Sequence, residues 1–209
     1  MTHYINVCGR KGGSTRSTNT LTLAGALAAR GADVLVVDLD PNGSDGGSLR
    51  WASLAQANGR HPAFTVCPAL PRRVEADVVI FDHPPGTAAR IPEGLGIILI
   101  PTSLDPGNLI SAMRLRSLLG KRKPTPILIA SRVRLDRAEP RKALAQLDGV
   151  CCVKDRAIYP TAYGSGQTIH DIKGPHAEAA RMEYEPIVQQ VMAAMGNPIF
   201  SAVEQGGVS

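Results

Sequence analysis

The N-terminal part of the sequence places a basic loop with several glycines between an apolar segment and a helical pattern. Residues 4–8 are mostly apolar, residues 9–16 include Gly9, Gly12 and Gly13, and residues 17–30 carry apolar side chains at helical spacing. A loop that leads into a helix N-terminus binds phosphate through backbone N–H groups and the helix dipole, and small residues permit close approach. We therefore predict a phosphate-binding loop, with a plain glycine turn as the alternative.

This loop departs from the common pattern G-x-x-x-x-G-K-[ST]. With Ser17 in the last place, Arg10 and Thr15 stand at the two glycine positions and Arg16 stands at the lysine position. Arginine is a wider, planar cation, and threonine resists the positive φ that glycine allows. Because the positive charge is kept, we expect the loop still to bind a nucleotide phosphate but to support its hydrolysis less well. The alternative is a loop that no longer holds nucleotide.

Four further apolar runs predict an α/β fold. They cover residues 33–37, 77–81, 95–100 and 126–130, and helical segments over 17–30, 106–119 and 175–195 lie between or after them. Continuous apolar runs are typical of strands buried on both faces, so we expect a mainly parallel sheet with helices on both faces. We also expect a helix over 46–59 and weaker strands near 64–66 and 150–153. Residues 1–196 are predicted to form one domain, followed by a flexible tail over 197–209.

Acidic side chains follow two of the predicted strands. Asp38 and Asp40 end the run at 33–37, and Asp82 ends the run at 77–81. Open parallel sheets bind ligands at the carboxyl ends of their strands, so these carboxylates and the loop are expected to form one site. A turn rich in Asp, Asn and Gly is the alternative reading of residues 38–44.

Positive charge is concentrated in one part of the chain. Residues 110–156 hold 12 Lys/Arg and 4 Asp/Glu, a net charge of +8, whereas residues 1–109 are balanced and residues 157–209 have a net charge of −3. Such a segment suggests a surface for a polyanion, and solvated helix faces are the alternative. The four cysteines lack C-x-x-C spacing and are expected to be reduced, and no run is long enough to span a membrane, which together favour a cytoplasmic protein.

Three motifs resemble the ParA/MinD family of P-loop ATPases. Residues 11–14 with 17–18 match the family loop K-G-G-x-G-K-[ST]-T, residues 38–43 match D-x-D-P-Q-G with Asn42 for the glutamine, and residues 82–86 match D-x-P-P-G. The resemblance covers residues 3–195. Within the family, the chain most resembles the small plasmid-type ParA partition proteins. It implies a P-loop NTPase fold of the deviant Walker A type, with Thr15 and Arg16 as departures from the family loop.

The resemblance also implies ligands and residue roles. In this family two subunits enclose two ATP molecules, with Mg²⁺ at each site. Carried over by position, Ser17 binds the metal, Asp82 holds it through water, Asp40 orients the attacking water, and Lys11 reaches the partner's nucleotide. His83 occupies a variable position and receives no role. The implied sets are catalytic Lys11, Arg16 and Asp40; nucleotide-binding Lys11, Gly12, Gly13, Ser14, Thr15, Arg16, Ser17 and Thr18; and metal-binding Ser17, Asp38 and Asp82.

The function implied by this resemblance is DNA partitioning or positioning. An ATP-dependent homodimer would bind DNA without sequence preference, work with a ParB-like adaptor, associate with the nucleoid and hydrolyse ATP weakly. The alternative is a non-hydrolysing accessory protein in plasmid maintenance or DNA transfer. A membrane-cycling relative is less favoured because residues 197–209 contain no Lys or Arg, and a related metabolic ligase lacks a second substrate motif. The DNA-binding candidates are Arg114, Arg116, Lys121, Arg122, Lys123, Arg132, Arg134, Arg141 and Lys142.

Overall fold

The computed structural model describes residues 1–9, 15–86, 91, 94–121 and 124–196. Within these residues the chain forms seven strands and seven helices. The strands are β1 (His3–Val7), β2 (Val34–Asp38), β3 (Thr65–Cys67), β4 (Val78–Asp82), β5 (Ile97–Thr102), β6 (Ile127–Val133) and β7 (Cys151–Lys154). The helices are α1 (Arg16–Ala28), α2 (Gly43–Gly46), α3 (Ser48–Ala57), α4 (Pro106–Leu119), α5 (Ala138–Ala145), α6 (Ile158–Gly164) and α7 (Pro175–Ala194).

All seven strands join one sheet in the order β3-β2-β4-β1-β5-β6-β7. Every pairing between these strands is parallel, which confirms the predicted parallel α/β architecture. The carboxyl ends of all strands therefore lie at one edge of the sheet. The end of β1 and the acidic ends of β2 and β4 are neighbours at that edge, because β4 lies between β1 and β2.

Helices cover both faces of the sheet, as the apolar strands predict. Along β5 the side chains alternate, so that Ile97 and Leu99 join the core under α1 and α7 whereas Ile98 and Ile100 join the core under α4. Helix α1 contributes Leu23 and Leu27 to the first core. Burial on both sides explains why the strands read as continuous apolar runs rather than as alternating ones.

Three helical features differ from the prediction. The helix expected over 46–59 forms as α3, but a separate four-residue helix that was not predicted, α2, precedes it, and the extended backbone of Gly47 (φ −93°, ψ −158°) lies between the two. Helix α5 was not predicted because it buries no residue and thus shows no strong apolar periodicity. Helix α6 was not predicted because seven residues are too few to reveal a helical period.

The four cysteines are free thiols. The predicted tail over 197–209 lies outside the described residues, and the domain boundary stays a prediction.

Candidate functional site

Two buried carboxylates face each other across neighbouring strands. Asp38 ends β2 and Asp82 ends β4, and the two residues are direct partners in the parallel register. Each is 2% exposed. Carboxylates this deeply buried need donors or cations to compensate for lost hydration, so their partners define the chemistry of the site.

Asp38 is held by backbone donors from the loop and helix that follow it. Its Oδ1 accepts the N–H of Asp40 at 3.1 Å, and its Oδ2 accepts the N–H of Leu49 at 2.9 Å. The chain passes so closely that a Cβ on Gly43 would lie 2.3 Å from Asp38 Oδ2. Glycine is therefore required at Gly43 for the loop to fold over this carboxylate.

Asp82 is held by two serine hydroxyls. Ser48 Oγ donates to Asp82 Oδ2 at 2.7 Å, and Ser17 also donates a hydrogen bond to the carboxylate. Burial raises the pKa of Asp82 to about 6, against the lowering effect of these two donors. At neutral pH the group is thus predominantly ionised, which is the form that attracts a cation.

The first turn of α1 brings a cation to this acidic cluster. Arg16 begins the helix, its side chain is only 11% exposed, and one guanidinium nitrogen lies 4.0 Å from Asp40 Oδ2. Its charge, together with burial as the larger cause, lowers the pKa of His83 to about 4. His83 is accordingly a neutral imidazole, with Nε2 2.9 Å from Asn6 Oδ1.

Thr15 precedes the helix with a left-handed backbone, at φ 60° and ψ 27°. A β-branched residue disfavours this region because its side chain crowds the backbone. The side chain of Asn19 reaches back to hold the turn, since Nδ2 donates to the Thr15 carbonyl oxygen at 2.8 Å and to Ser131 Oγ at 3.1 Å. The loop end is therefore fixed to α1 and to the end of β6.

A cavity of about 440 Å³ lies beside this turn. Thr15 and Thr18 line one end, and the rest of the wall comes largely from the segment after β7, α6 and α7. Its aromatic members are Tyr159, Tyr163 and Tyr184. Aromatic and apolar walls with a few polar groups are typical of sites for flat, partly apolar ligands such as a nucleobase. A second, more polar cavity adjoins it, lined by residues 15–18 together with Asp40, Asn42, Gly46, Gly47 and Tyr163.

Strained backbone is concentrated around the aromatic cavity. Among the described residues, Thr15 (φ 60°) and Arg132 (φ 56°) are the non-glycine residues with positive φ, and both line it. Strained conformations of this kind cluster at ligand sites because the surrounding structure has to enforce them. The strain marks the cavity as a candidate ligand site independently of its shape.

The oxygen donors at the acidic edge fit a magnesium ion. Mg²⁺ prefers carboxylate and hydroxyl oxygens, and Ser17 lines the polar cavity while donating its proton to Asp82. That arrangement leaves lone pairs of the Ser17 oxygen free for a metal. Asp38 and Asp82, at the neighbouring ends of β2 and β4, supply the negative charge that such an ion needs.

The structure brings together the predicted residues that it describes. Thr15, Arg16, Ser17, Thr18 and Asp40 line one cavity, with Asp38 and Asp82 behind it. The predicted residues Lys11, Gly12, Gly13 and Ser14 lie outside the described residues, so their roles stay predictions.

The basic candidates divide into two groups. Arg114 and Arg116 lie on α4, Lys121 follows this helix, and Arg141 and Lys142 lie on α5. By contrast, Arg132 pairs with Asp155 at 3.5 Å and Arg134 pairs with Asp136 at 2.9 Å. Arg122 and Lys123 lie outside the described residues.

Sequence reasoning missed Ser48 and the aromatic wall. Ser48 lies 34 residues from its partner Asp82, and a serine at the start of a helix is too common to attract attention. Tyr159 and Tyr163 are four residues apart in α6. This i, i+4 spacing of aromatic side chains was a usable signal for a shared helix face.

No helix in the part of the chain described here is both long and apolar enough to cross a membrane.

Comparison with protein families gives one match that covers most of the chain. The family profile described as the CobQ/CobB/MinD/ParA nucleotide binding domain matches residues 5–190. A comparison with curated protein sequences gave no significant match.

Several solved structures share the fold at low sequence identity. The MinD septum site-determining protein of Pyrococcus horikoshii OT3 complexed with Mg-ADP is 16% identical, with a TM-score of 0.68 and coverage of 97% of this chain and 100% of that one. A plasmid partition protein of Borrelia burgdorferi B31 bound to AMPPNP is 13% identical, with a TM-score of 0.67 and coverage of 91% and 100%. The Cyanothece McdA(D38A)-ATP complex is 15% identical, with a TM-score of 0.64 and coverage of 93% and 96%.

Proposed function

This chain belongs to the CobQ/CobB/MinD/ParA nucleotide-binding domain family, and from that premise we propose that it is a ParA-type ATPase that partitions or positions DNA. ATP with Mg²⁺ is the proposed ligand, and an ATP-dependent homodimer is the proposed DNA-binding form. A DNA-bound, ParB-like adaptor is the proposed partner.

One observation carries the nucleotide assignment. The buried carboxylates of Asp38 and Asp82 are register partners at the strand ends, and Ser17, in the first turn of α1, donates to one of them from the wall of a polar cavity. A phosphate chain placed there meets the helix N-terminus and a metal site together. The adjoining aromatic cavity has room for the base. The nucleotide-bound state of the Borrelia burgdorferi and Pyrococcus horikoshii structures adds support.

The residues of the site act mainly by positioning and by charge. Arg16, Ser17 and Thr18 would hold the phosphates, and Lys11 with Arg16 would offset their negative charge. Ser17, Asp38 and Asp82 would hold Mg²⁺, which when bound neutralises charge on the phosphate oxygens. Asp40 would orient a water molecule for attack, and its Oδ2 lies 4.0 Å from the guanidinium of Arg16.

The contact between Arg16 and Asp40 supports weak hydrolysis. A guanidinium beside Asp40 competes with water for its carboxylate, and Thr15 makes the loop stiffer than glycine does. These two features also favour the second candidate, a non-hydrolysing accessory protein of the same family. ATP turnover, measured with and without DNA, separates the two.

Titration with a fluorescent ATP analogue in the presence of Mg²⁺ tests the nucleotide assignment. We expect saturable binding that unlabelled ATP displaces. Asp82→Asn should weaken it at least about tenfold, or about 1.4 kcal/mol, through loss of the metal-binding charge. Asp77→Asn is the matched control, because Asp77 precedes the same strand at its opposite end and accepts the N–H of Asp33 there. Absence of binding, or an equal effect of both variants, would contradict the assignment.

The DNA-binding surface is proposed to centre on α4 and α5. Helix α4 contains two arginines and no Asp or Glu, so none of its own carboxylates cancels their charge. Arg132 and Arg134 should contribute less because each already pairs with a carboxylate. Attraction to phosphates through such a surface is independent of sequence and falls steeply with salt.

A further inference from the structure

Ser48 occupies a position from which one helix turn contacts both buried carboxylates. It is the first residue of α3, and its Oγ donates to Asp82 Oδ2 at 2.7 Å. The next residue, Leu49, donates its backbone N–H to Asp38 Oδ2 at 2.9 Å. The start of α3 thus supplies a side-chain donor to one carboxylate and a backbone donor to the other.

The two serines that contact Asp82 differ in exposure. Ser17 is partly exposed and lines the polar cavity, where a ligand can reach its oxygen. Ser48 has no accessible surface, so it contacts Asp82 from the interior of the protein. A hydroxyl in that position does not touch nucleotide or metal, but it determines how the carboxylate is oriented toward them.

The start of α3 is itself tied to the aromatic cavity. Tyr163 donates its hydroxyl hydrogen to the carbonyl oxygen of Gly47 at 2.7 Å, directly before Ser48. One turn later, Trp51 donates from Nε1 to the carbonyl oxygen of Gln167 at 3.0 Å and stacks on Phe64. These contacts fix the helix, so that Ser48 presents its hydroxyl from a rigid support.

We propose that Ser48 is a positioning residue that holds the Asp82 carboxylate in the orientation needed to bind magnesium at the nucleotide site. This inference rests on the proposed function. With one carboxylate oxygen engaged by Ser48, rotation of the carboxylate is restrained, and its other lone pairs remain available toward Ser17 and the cavity. Removal of such an outer support typically weakens metal affinity about 10- to 100-fold.

A magnesium titration of nucleotide binding tests this role in the whole 209-residue chain. The fluorescent ATP analogue is bound first in EDTA and then at increasing Mg²⁺, for wild type, Ser48→Ala and Ser48→Thr. In Ser48→Ala we expect the Mg²⁺ concentration at half-maximal enhancement to rise at least about tenfold, while affinity in EDTA is unchanged. Ser48→Thr keeps the hydroxyl and should stay nearer to wild type. Ser53→Ala is the matched control on the same helix, because its hydroxyl donates to the carbonyl oxygen of Leu49 away from the carboxylates.

The outcomes are distinguishable. Binding in EDTA shows that a variant is folded, so a selective change in magnesium dependence identifies a positioning effect. If wild type binds the analogue and Ser48→Ala keeps the wild-type magnesium midpoint, or loses affinity equally with and without magnesium, the role of Ser48 is overturned alone. If wild type binds no nucleotide at all, the proposed function is overturned and this role with it.

Discussion

At the scale of single residues, Thr15 combines an unfavourable backbone with a central position. Its φ of 60° is the conformation that a glycine at this loop position would adopt freely. For a β-branched residue it costs on the order of 1–2 kcal/mol. The hydrogen bonds from Asn19 compensate locally, since its side-chain amide reaches both the carbonyl and the hydroxyl oxygen of Thr15.

Thr15→Gly should stabilise the protein. Relief of the left-handed strain outweighs the added flexibility of glycine in the unfolded chain, which leaves a gain of about 0.5–1 kcal/mol in the free energy of unfolding. Urea unfolding of wild type and variant measures this change in the free energy of unfolding. Ala28→Gly at the other end of α1 is the control and should instead lose about 0.5–1 kcal/mol, because its backbone is helical. A destabilised Thr15→Gly protein would show that the contacts of the threonine matter more than its strain.

The two departures in the loop should also limit turnover. Thr15→Gly combined with Arg16→Lys restores the family pattern and frees Asp40 from the broad guanidinium beside it. We expect ATP hydrolysis to rise at least about tenfold, equivalent to about 1.4 kcal/mol of transition-state stabilisation. Steady-state phosphate release provides the measurement. An unchanged rate in the double variant would mean that these positions do not limit catalysis.

At the scale of helices and strands, prediction from sequence depends on how strongly an element is buried. Strands β2, β4 and β5 were predicted within two residues at each end because both of their faces are covered. Helix α5 escaped prediction because it rests on the surface without a buried stripe. The carboxylates of the site followed from their place after apolar strands. The Ser48 contact did not, because a hydrogen bond across 34 residues leaves no local pattern.

Helix α4 with the adjoining Lys121, and the end of β6 with the adjoining Arg134, should contribute unequally to DNA binding. Arg114→Glu with Lys121→Glu should abolish retention on random duplex DNA at about 50 mM salt. Among the described residues neither cation has an ion-pair partner, so both are available to phosphates, whose attraction dominates binding at low salt. Arg132→Glu with Arg134→Glu is the matched pair and should have the smaller effect, since each arginine already contacts a carboxylate. Retention of DNA on filters in the presence of ATP and Mg²⁺ compares the two double variants.

Both variants must still bind the ATP analogue for this comparison to hold. Equal losses in the two double variants would contradict a surface centred on α4. A parent protein that shows no DNA binding at about 50 mM salt would contradict the DNA assignment altogether, because the electrostatic attraction is strongest there.

At the scale of the whole molecule, the fold gathers the charged groups of the site at the carboxyl ends of the strands. Away from that site it buries a neutral histidine, His170. His170 lies between α6 and α7, and its Nε2 is buried without a hydrogen-bond partner among the described residues. Burial, followed by the charges of Arg181 and Arg30, lowers its pKa to about 4. In the unfolded chain the same imidazole titrates near pH 6.5. Between these two values the unfolded state binds the proton and the folded state does not.

Stability should therefore fall as pH drops from about 6.5 towards 4, with no contribution from this group above about 6.5. His83 acts in the same direction, because its pKa is also lowered to about 4. His170→Gln should reduce the loss between about pH 7 and pH 5 by about 1 kcal/mol, after allowance for the partial exposure of the ring. Urea unfolding at both pH values measures the difference, with the exposed His61→Gln as control. An identical loss in wild type and His170→Gln would show that His170 takes up its proton equally in the folded and unfolded states.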